Sequence, residues 1–392
     1  MKKFRRLVFL IHLALGIATG LVGALMAGTA VVMAFADSYL DIREHRSRTV
    51  IPFTKDQALS LDALAERVAA AHPEARISRI GFGRHSRHAY EFYLGKTELD
   101  YVNPVSGNMI PSDVVPLRKS LHKGVEQWHR FFGLSGDAAK TGKQYASWFN
   151  VALIPLLLSG FVLWWPKNLR WRSIQTGLLP IGKDRARGTE RSWHTALGFW
   201  AVPFLLIMVV TGSMHSFEWV RDTALRIVGS GTAKPGAHDS LWAPGLSQKA
   251  IPAETPRLTL DELRDLADRE LTGWTRLDLF PAPGPNSENQ TGTTRLVAKA
   301  PGWGPAFFPV VLQVHPYSGE ILDTHSWDDL SRGTRLLAWN RWLHKGEAFG
   351  RVGQIIAGLA CVVMLVLIYT GWALAIRRLS RRLRGVQTVK QE

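Results

Sequence analysis

The chain has a single cysteine, Cys361, among 392 residues. One thiol cannot close a disulfide or build a cysteine-based metal site within the chain. The c-type haem attachment pattern, C-x-x-C-H, is absent as well, so any haem must be held by side-chain ligation alone. Acid is also scarce: 32 Asp and Glu stand against 48 Lys and Arg, for a formal charge of +16. Such an excess ordinarily suggests nucleic acid as a partner, but its distribution argues against that. Lys2, Lys3, Arg5 and Arg6 open the chain. Lys167, Arg170, Arg172, Lys183, Arg185, Arg187 and Arg191 crowd one loop, and Arg377, Arg378, Arg381, Arg382, Arg384 and Lys390 close the chain. Set against Asp184, Glu190 and Glu392, these three segments hold +14 of the +16. Each flanks an apolar run, which is the pattern of the positive-inside rule, with basic loops kept in the cytoplasm.

Charge is missing altogether from four runs, 7–36, 148–165, 194–217 and 353–376, which contain no Asp, Glu, Lys or Arg. Each is long enough to cross the ~30 Å hydrocarbon layer as a helix. Ala34-Phe35-Ala36 resembles a signal-peptidase site, so a cleaved leader is the alternative for the first run. That run is about twice the ~7–15 residues of a signal core, and it is read as a retained helix. Between the runs lie two polar regions with the same order of elements. A helical segment comes first (54–71 and 259–271), then strand-like pieces, then a turn, Pro104-Val-Ser-Gly107 or Pro316-Tyr-Ser-Gly319.

The expected fold is therefore a membrane α-helical protein made of two helix–domain–helix repeats. Helix 7–36 precedes an external α+β domain, 38–145, and helix 146–166 follows it. A cytoplasmic loop, 167–193, leads to helix 194–217, a second external domain, 218–340, helix 350–376 and a cytoplasmic tail, 377–392. Both termini are expected in the cytoplasm, with the two domains in the periplasm of a bacterial inner membrane.

Histidines carry the chemistry. His12-Leu-Ala-Leu-Gly16 and His194-Thr-Ala-Leu-Gly198 open two of the runs, and Thr29 and Thr211 follow at the same separation. Ionisable groups within a span are costly and usually serve a site. For one histidine near a helix end, contact with headgroups or a backbone carbonyl is the plainer account. Two equivalent histidines on helices entering from the same side can instead face each other across one site. Imidazole is the common axial ligand of b-type haem. The small residues Gly16, Gly20, Gly23, Ala24, Ala27 and Gly28 make room for a porphyrin or another helix. His12 and His194 are thus the expected ligands of an inner haem.

His215 lies twenty-one residues beyond His194, about 31 Å of helix, and so belongs to the outer face. So do His129, in Trp128-His-Arg-Phe-Phe-Gly133, and His344, in Trp342-Leu-His-Lys-Gly346, at matching places ahead of the second and fourth runs. His129 and His344 are the expected outer pair. His215, whose repeat counterpart is Met33, is the alternative ligand. His122 stands in a copy of the His344 motif and is a further candidate.

These features together resemble the PepSY-associated transmembrane helix family, iron-regulated inner-membrane proteins that include bacterial siderophore reductases. The matching pieces are His12-x-x-x-Gly16, Trp128-His129 with Ser159-Gly160 and Trp164-Trp165-Pro166, His194-x-x-x-Gly198 with Thr211-Gly212, and Leu343-His344 with Gly350 and Thr370-Gly371. The turns Asn103-Pro-Val-Ser-Gly107 and His315-Pro-Tyr-Ser-Gly319 are similar to the D-P-x-x-G pattern of PepSY domains, with the Asp replaced in both. His129 precedes Gly160 by thirty-one residues while His344 precedes Gly371 by twenty-seven, a difference of one helical turn. The resemblance implies two b-type haems and an oxidoreductase that takes electrons from an unidentified cytoplasmic or membrane donor. It implies a periplasmic ferric siderophore as acceptor, with iron released as Fe(II). Two other readings stay open: a non-catalytic PepSY binding or sensor protein, and a haem relay to a periplasmic protein. Transport of the iron complex is disfavoured, since four helices with no broken pair leave little room for alternating access.

Overall fold

The computed structural model describes residues 2–84, 87–95, 98–110, 114–166, 170–179, 189–231, 256–282, 292–302, 304 and 308–389. In chain order the first half has helix α1 (Lys2–Ser47), helix α2 (Leu61–Ala71), strands β1 (Ile77–Gly83), β2 (Tyr90–Leu94), β3 (Glu98–Val102) and β4 (Met109–Ile110), and helices α3 (Val114–Phe131) and α4 (Ala138–Trp164). Helix α5 (Trp171–Leu178) follows. The second half has α6 (Thr189–Ser216), α7 (Glu218–Ile227), α8 (Leu260–Glu270), β5 (Arg276–Phe280), β6 (Thr294–Lys299), β7 (Val310–Val314), β8 (Ile321–His325), α9 (Arg332–Lys345) and α10 (Gly350–Val389). The chain forms two compact units. One is helical: Met1–Ser38, Ser120–Ile227 and Trp339–Glu392. The other holds the sheet: Tyr39–Lys119 and Val228–Ala338.

In the helical unit, Lys2–Ala36, Ala138–Trp164, Thr189–Ser216 and Glu347–Arg381 are long and apolar enough to cross a membrane, with mean hydropathy from 1.8 to 2.5. These are the four expected runs, each beginning three to eight residues earlier than expected, with the last also ending five residues later. α4 begins eight residues before the expected 146, where Gly133 and Gly136, both at positive φ, mark the break from α3. Of the loop expected at 167–193, 171–178 form α5 and 189–193 open α6, while 167–169 and 180–188 lie outside the described residues. Polar contacts define one end of the unit. Arg5 donates to the Leu163 carbonyl (2.8 Å), and Arg377 grips Glu190 with two hydrogen bonds (2.8 and 2.5 Å). The start of α1, the end of α4, the start of α6 and the end of α10 thus lie together.

Glycines let α1 approach its neighbours. The Trp372 indole occupies the space where a side chain at position 20 would be, and Gly23 faces Ile368, Phe149 and Met364. The stripe of small residues on α1 therefore serves helix packing against α4 and α10, as close-approach surfaces do in membranes. α6 is tied to α4 by Asn150, which donates to the Val209 carbonyl and to Ser213 Oγ.

The sheet unit differs from the expected pair of separate domains. All eight strands form one antiparallel sheet in the order β4-β3-β2-β1-β5-β6-β7-β8. The halves join where β1 pairs with β5, Ile80 opposite Leu279. Alone, each half would leave β1 or β5 as an open edge with unpaired backbone groups; joining removes both. One core also runs across the seam. Leu64 and Val68 of α2 share a cluster with Leu263 and Ala267 of α8, over Ile80, Phe92, Leu277, Leu279 and Leu312. The two helices even cap each other. Asp62 accepts from the Leu260 and Asp261 amides (3.0 and 3.3 Å), and Asp261 accepts from the Leu61 amide (2.8 Å). The boundaries 38–145 and 218–340 shrink accordingly, because α3 from Ser120 onward and α9 from Trp339 onward belong to the helical unit.

The two turns that lost their Asp keep its work. Asn103 Oδ1 accepts from the Val105 and Ser106 amides, and His315 Nδ1 accepts from the Ser318 amide. Gly107 and Gly319 close these turns at φ 73° and 75°, a conformation that favours glycine.

Candidate functional site

Four imidazoles each meet a hydroxyl on a neighbouring helix in the same way. His12 on α1 has Nδ1 3.1 Å from the Leu156 carbonyl and 3.0 Å from Ser159 Oγ of α4. His194 on α6 has Nδ1 2.9 Å from Thr370 Oγ1 of α10. His129 on α3 has Nδ1 2.8 Å from Thr29 Oγ1 of α1. His344 on α9 has Nδ1 3.0 Å from the Met208 carbonyl and 3.2 Å from Thr211 Oγ1 of α6. Each hydroxyl donates its own hydrogen to a carbonyl three or four residues back in its helix. Each ring also has a backbone carbonyl as hydrogen-bond partner, Leu156, Leu367, Met26 or Met208, and a carbonyl can only accept. All four imidazoles are fixed as Nδ1–H tautomers, which leaves Nε2 as the nitrogen with a lone pair to offer.

Glycine completes three of these sockets. A β-carbon on Gly160, Gly371 or Gly212 would lie 3.2, 3.3 or 3.1 Å from Cε1 of His12, His194 or His344. Ser159-Gly160, Thr370-Gly371 and Thr211-Gly212 are thus one device used three times. Thr29, followed by Ala30, is its fourth and looser copy.

The inner rings come together. The centres of His12 and His194 are 6.3 Å apart, with their planes at 81°. A metal–imidazole bond is about 2.0–2.1 Å and the ring centre lies roughly another ångström beyond, so two rings across one ion have centres about 6 Å apart. The observed spacing fits an ion held between the two rings. On the opposite side, burial first, and the nearby His344 second, push the His129 imidazole down to about 4. Burial also lowers His344. His215 differs from the four. It is exposed, its Nε2 accepts from Asn340 Nδ2 (3.0 Å), and its ring stands edge-on to His344 with centres 5.3 Å apart. The side chain of His122 lies outside the described residues. Among the described residues, no three His, Cys, Asp or Glu side chains gather to hold a metal.

The one-turn offset ahead of the second and fourth runs has a local cause. His129 precedes the first residue of α4 by nine positions, whereas His344 precedes that of α10 by six. Most of the offset is spent in the connection, so both rings still reach their threonines. Thr29 lies seventeen residues beyond His12, about 25 Å of helix, so the two pairs sit at different depths in the unit.

A family model for the PepSY-associated TM region matches residues 9–378. The chain belongs to this family. No curated protein matches the sequence.

In this PepSY-associated membrane protein, the ring-holding hydroxyls are what sequence reasoning missed. Ser159-Gly160 and Thr370-Gly371 stand out as pieces of the resemblance, with no role for their hydroxyls. Their signal was present, since each stands directly before a glycine at matching places in the two halves. What could not be seen was that each faces the histidine of a different helix.

Proposed function

We propose that this protein is an inner-membrane electron carrier with two b-type haems that reduces a periplasmic ferric siderophore and releases iron as Fe(II). The observation that carries the reading is the repeated histidine socket, present at two depths. His12 and His194 would hold one haem, and His129 and His344 the other. When bound there, haem supplies one-electron exchange.

The chain's own contribution is positional. Nδ1–H donation to a hydroxyl or carbonyl orients each ring and keeps Nε2 basic, the usual task of groups around a ligand. The apolar helices keep water and competing ligands away. By the positive-inside rule the shared end with Arg5 and Arg377 faces the cytoplasm, so electrons enter at His12 and His194. The sheet unit then lies in the periplasm, where the acceptor is. Siderophore oxygens grip hard Fe³⁺, and one added electron weakens that grip.

Haem counting by pyridine haemochrome tests the reading. The wild-type protein is expected to carry two haems, and His12→Ala or His194→Ala one. Dithionite-reduced protein is expected to reoxidise on mixing with a ferric siderophore. Absence of a Soret band after expression with sufficient haem would favour a sensor instead, and reoxidation by a protein partner alone would make it a relay.

A further inference from the structure

The sheet has two unlike faces. One packs against α2 and α8, while the other mixes charged and polar side chains with the buried Tyr101, Val297 and Val311, and a single row of side chains crosses it from β2 to β8. Register places Tyr93 opposite Arg79, Phe280 opposite Arg295, Arg295 opposite Gln313, and Gln313 opposite Asp323. Arg79 and Phe280 flank the paired Ile80 and Leu279, so the row is continuous across the seam. The Arg79 guanidinium lies 3.6 Å over the Tyr93 ring and 5.8 Å from that of Phe280. Arg295 lies 4.6 Å over the other side of this ladder, on Phe280. All four side chains are half-buried and held by stacking.

Charge on this face does not balance. Glu91 is gripped by Arg276 (2.8 and 2.6 Å) and by Arg48 (2.5 Å). Asp278 is held by Arg276 (2.8 Å) and Lys299 (3.6 Å), so Glu91 and Asp278 are already engaged. Asp323 ends the row beside the His325 ring (2.7 Å), which pairs with it only when protonated. Arg79 and Arg295 have no carboxylate partner among the described residues, and burial alone acts on Arg295, lowering its pKa. Gln313, next in the row, is wholly buried, and neither its amide oxygen nor its amide nitrogen has a hydrogen-bond partner. A buried amide with no hydrogen bond, beside half-buried guanidinium groups with no carboxylate among the described residues, is costly in a sheet with nothing to bind.

We infer that this row is a binding site for an anionic ligand with flat aromatic parts, of the ferric tris-catecholate class. A tris-catecholate complex of Fe³⁺ is a trianion whose rings can stack on Arg79, Phe280 and Tyr93. The tris-hydroxamate complex of the same ion is uncharged and has no such rings. Arg79 and Arg295 supply the opposite charge, and guanidinium groups bind anionic oxygens in a forked geometry that lysine cannot reproduce. This assignment rests on the siderophore-reductase reading for the origin of the ligand, but not for the existence of the site.

The test is equilibrium dialysis of the full-length protein, in detergent, against redox-inert gallium(III) tris-catecholate, with haem counted in the same samples. The wild-type protein is expected to bind the trianion more tightly than uncharged gallium(III) tris-hydroxamate, and less tightly as salt rises. Arg79→Gln and Arg295→Gln are each expected to weaken binding about tenfold, with Arg295→Lys intermediate and Phe280→Leu milder. Circular dichroism checks that the sheet persists in each variant. Equal binding of the two gallium complexes overturns the assignment, and so does wild-type affinity in a folded Arg79→Gln, Arg295→Gln double variant. A chain without haem that still binds through the arginines sinks the reductase reading and leaves this site standing. A two-haem chain reoxidised by the ferric hydroxamate, and neither binding nor reoxidised by the catecholate, sinks this site alone.

Discussion

Thr370→Val separates the socket from the ligand it holds. The substitution keeps the shape of the side chain and replaces one atom, the Oγ1 that lies 2.9 Å from His194 Nδ1, with a methyl carbon. If the Nδ1–H were left with nothing, the cost would be the full desolvation of a buried donor, about 1–3 kcal/mol. The Leu367 carbonyl is also within reach of this ring, so the donor finds a second acceptor and the loss falls at the low end. About 1 kcal/mol corresponds to roughly fivefold, somewhat less than the 10–100-fold typical when the orienting partner of a ligand is lost altogether. The expected result is a protein that still carries two haems but yields the inner one about fivefold more readily to excess apomyoglobin. Ser159→Ala should do less, because His12 keeps the Leu156 carbonyl at 3.1 Å. Haem retention unchanged in Thr370→Val, with one haem lost in His194→Ala, would show that the hydroxyl does not hold the ring. Complete loss of one haem in Thr370→Val would show that the carbonyl is no substitute. Either result refutes the reasoning.

Two further predictions concern the sheet unit. Asp62→Ala removes the acceptor for the start of α8 and should destabilise the unit by about 1 kcal/mol, the usual worth of a helix cap; Asp261→Ala, with fewer bonds to lose, should cost less. Denaturation of the full protein in detergent, followed by hydrogen exchange at the amides of β1 and β5, measures both, and the reverse order would contradict the reciprocal caps. The second concerns Glu91. Burial raises its pKa, but the hydrogen bonds and charge of Arg276 and the charge of Arg48 outweigh that and hold it at about 2. A depressed folded value means stability fully present above the ordinary carboxylate range and lost as pH falls toward 2, about 3 kcal/mol in all. The same denaturation repeated between pH 6 and about pH 3 should show stability falling below about pH 4.5, with a flatter profile in Glu91→Gln; identical profiles would remove Glu91 from the account.

The membrane half was legible because its constraints are local. Absence of charge over 7–36 or 353–376 is enough to read a span, and His12 and His194 announce themselves as ionisable groups where few are tolerated. Turns at Gly107 and Gly319 were equally readable, since each needs a residue that accepts positive φ. The merged sheet was not legible. β1 and β5 have about two hundred residues between them, and nothing in either strand says whether its open edge is covered by its own half or by the other. The sockets failed for the same reason: His12 selects Ser159 and His194 selects Thr370 only after α1, α4, α6 and α10 have packed.

The internal repeat also works as a comparison within one chain. In the helical unit the two copies agree where the sockets are: His12 with His194, Ser159 with Thr370, Gly160 with Gly371, His129 with His344, Thr29 with Thr211. Equivalent groups must match there, because each pair is expected to hold one ligand from two sides. In the sheet, α2 and α8 are both eleven residues long, and β1 and β5 begin equally far beyond their starts. That alignment sets Arg79 against Asp278 and Gly81 against Phe280. The copies therefore differ at the seam, in the row that carries the unpaired arginines. Folding alone asks for no such difference, since β1 and β5 pair through backbone groups and bury the same core face. A ligand lying across the seam does: it meets two unlike strands at once, and an asymmetric molecule gains nothing from a symmetric surface. On the proposed reading, the helices are asked to hold a flat group evenly, whereas the sheet is asked to recognise something that is not part of the protein.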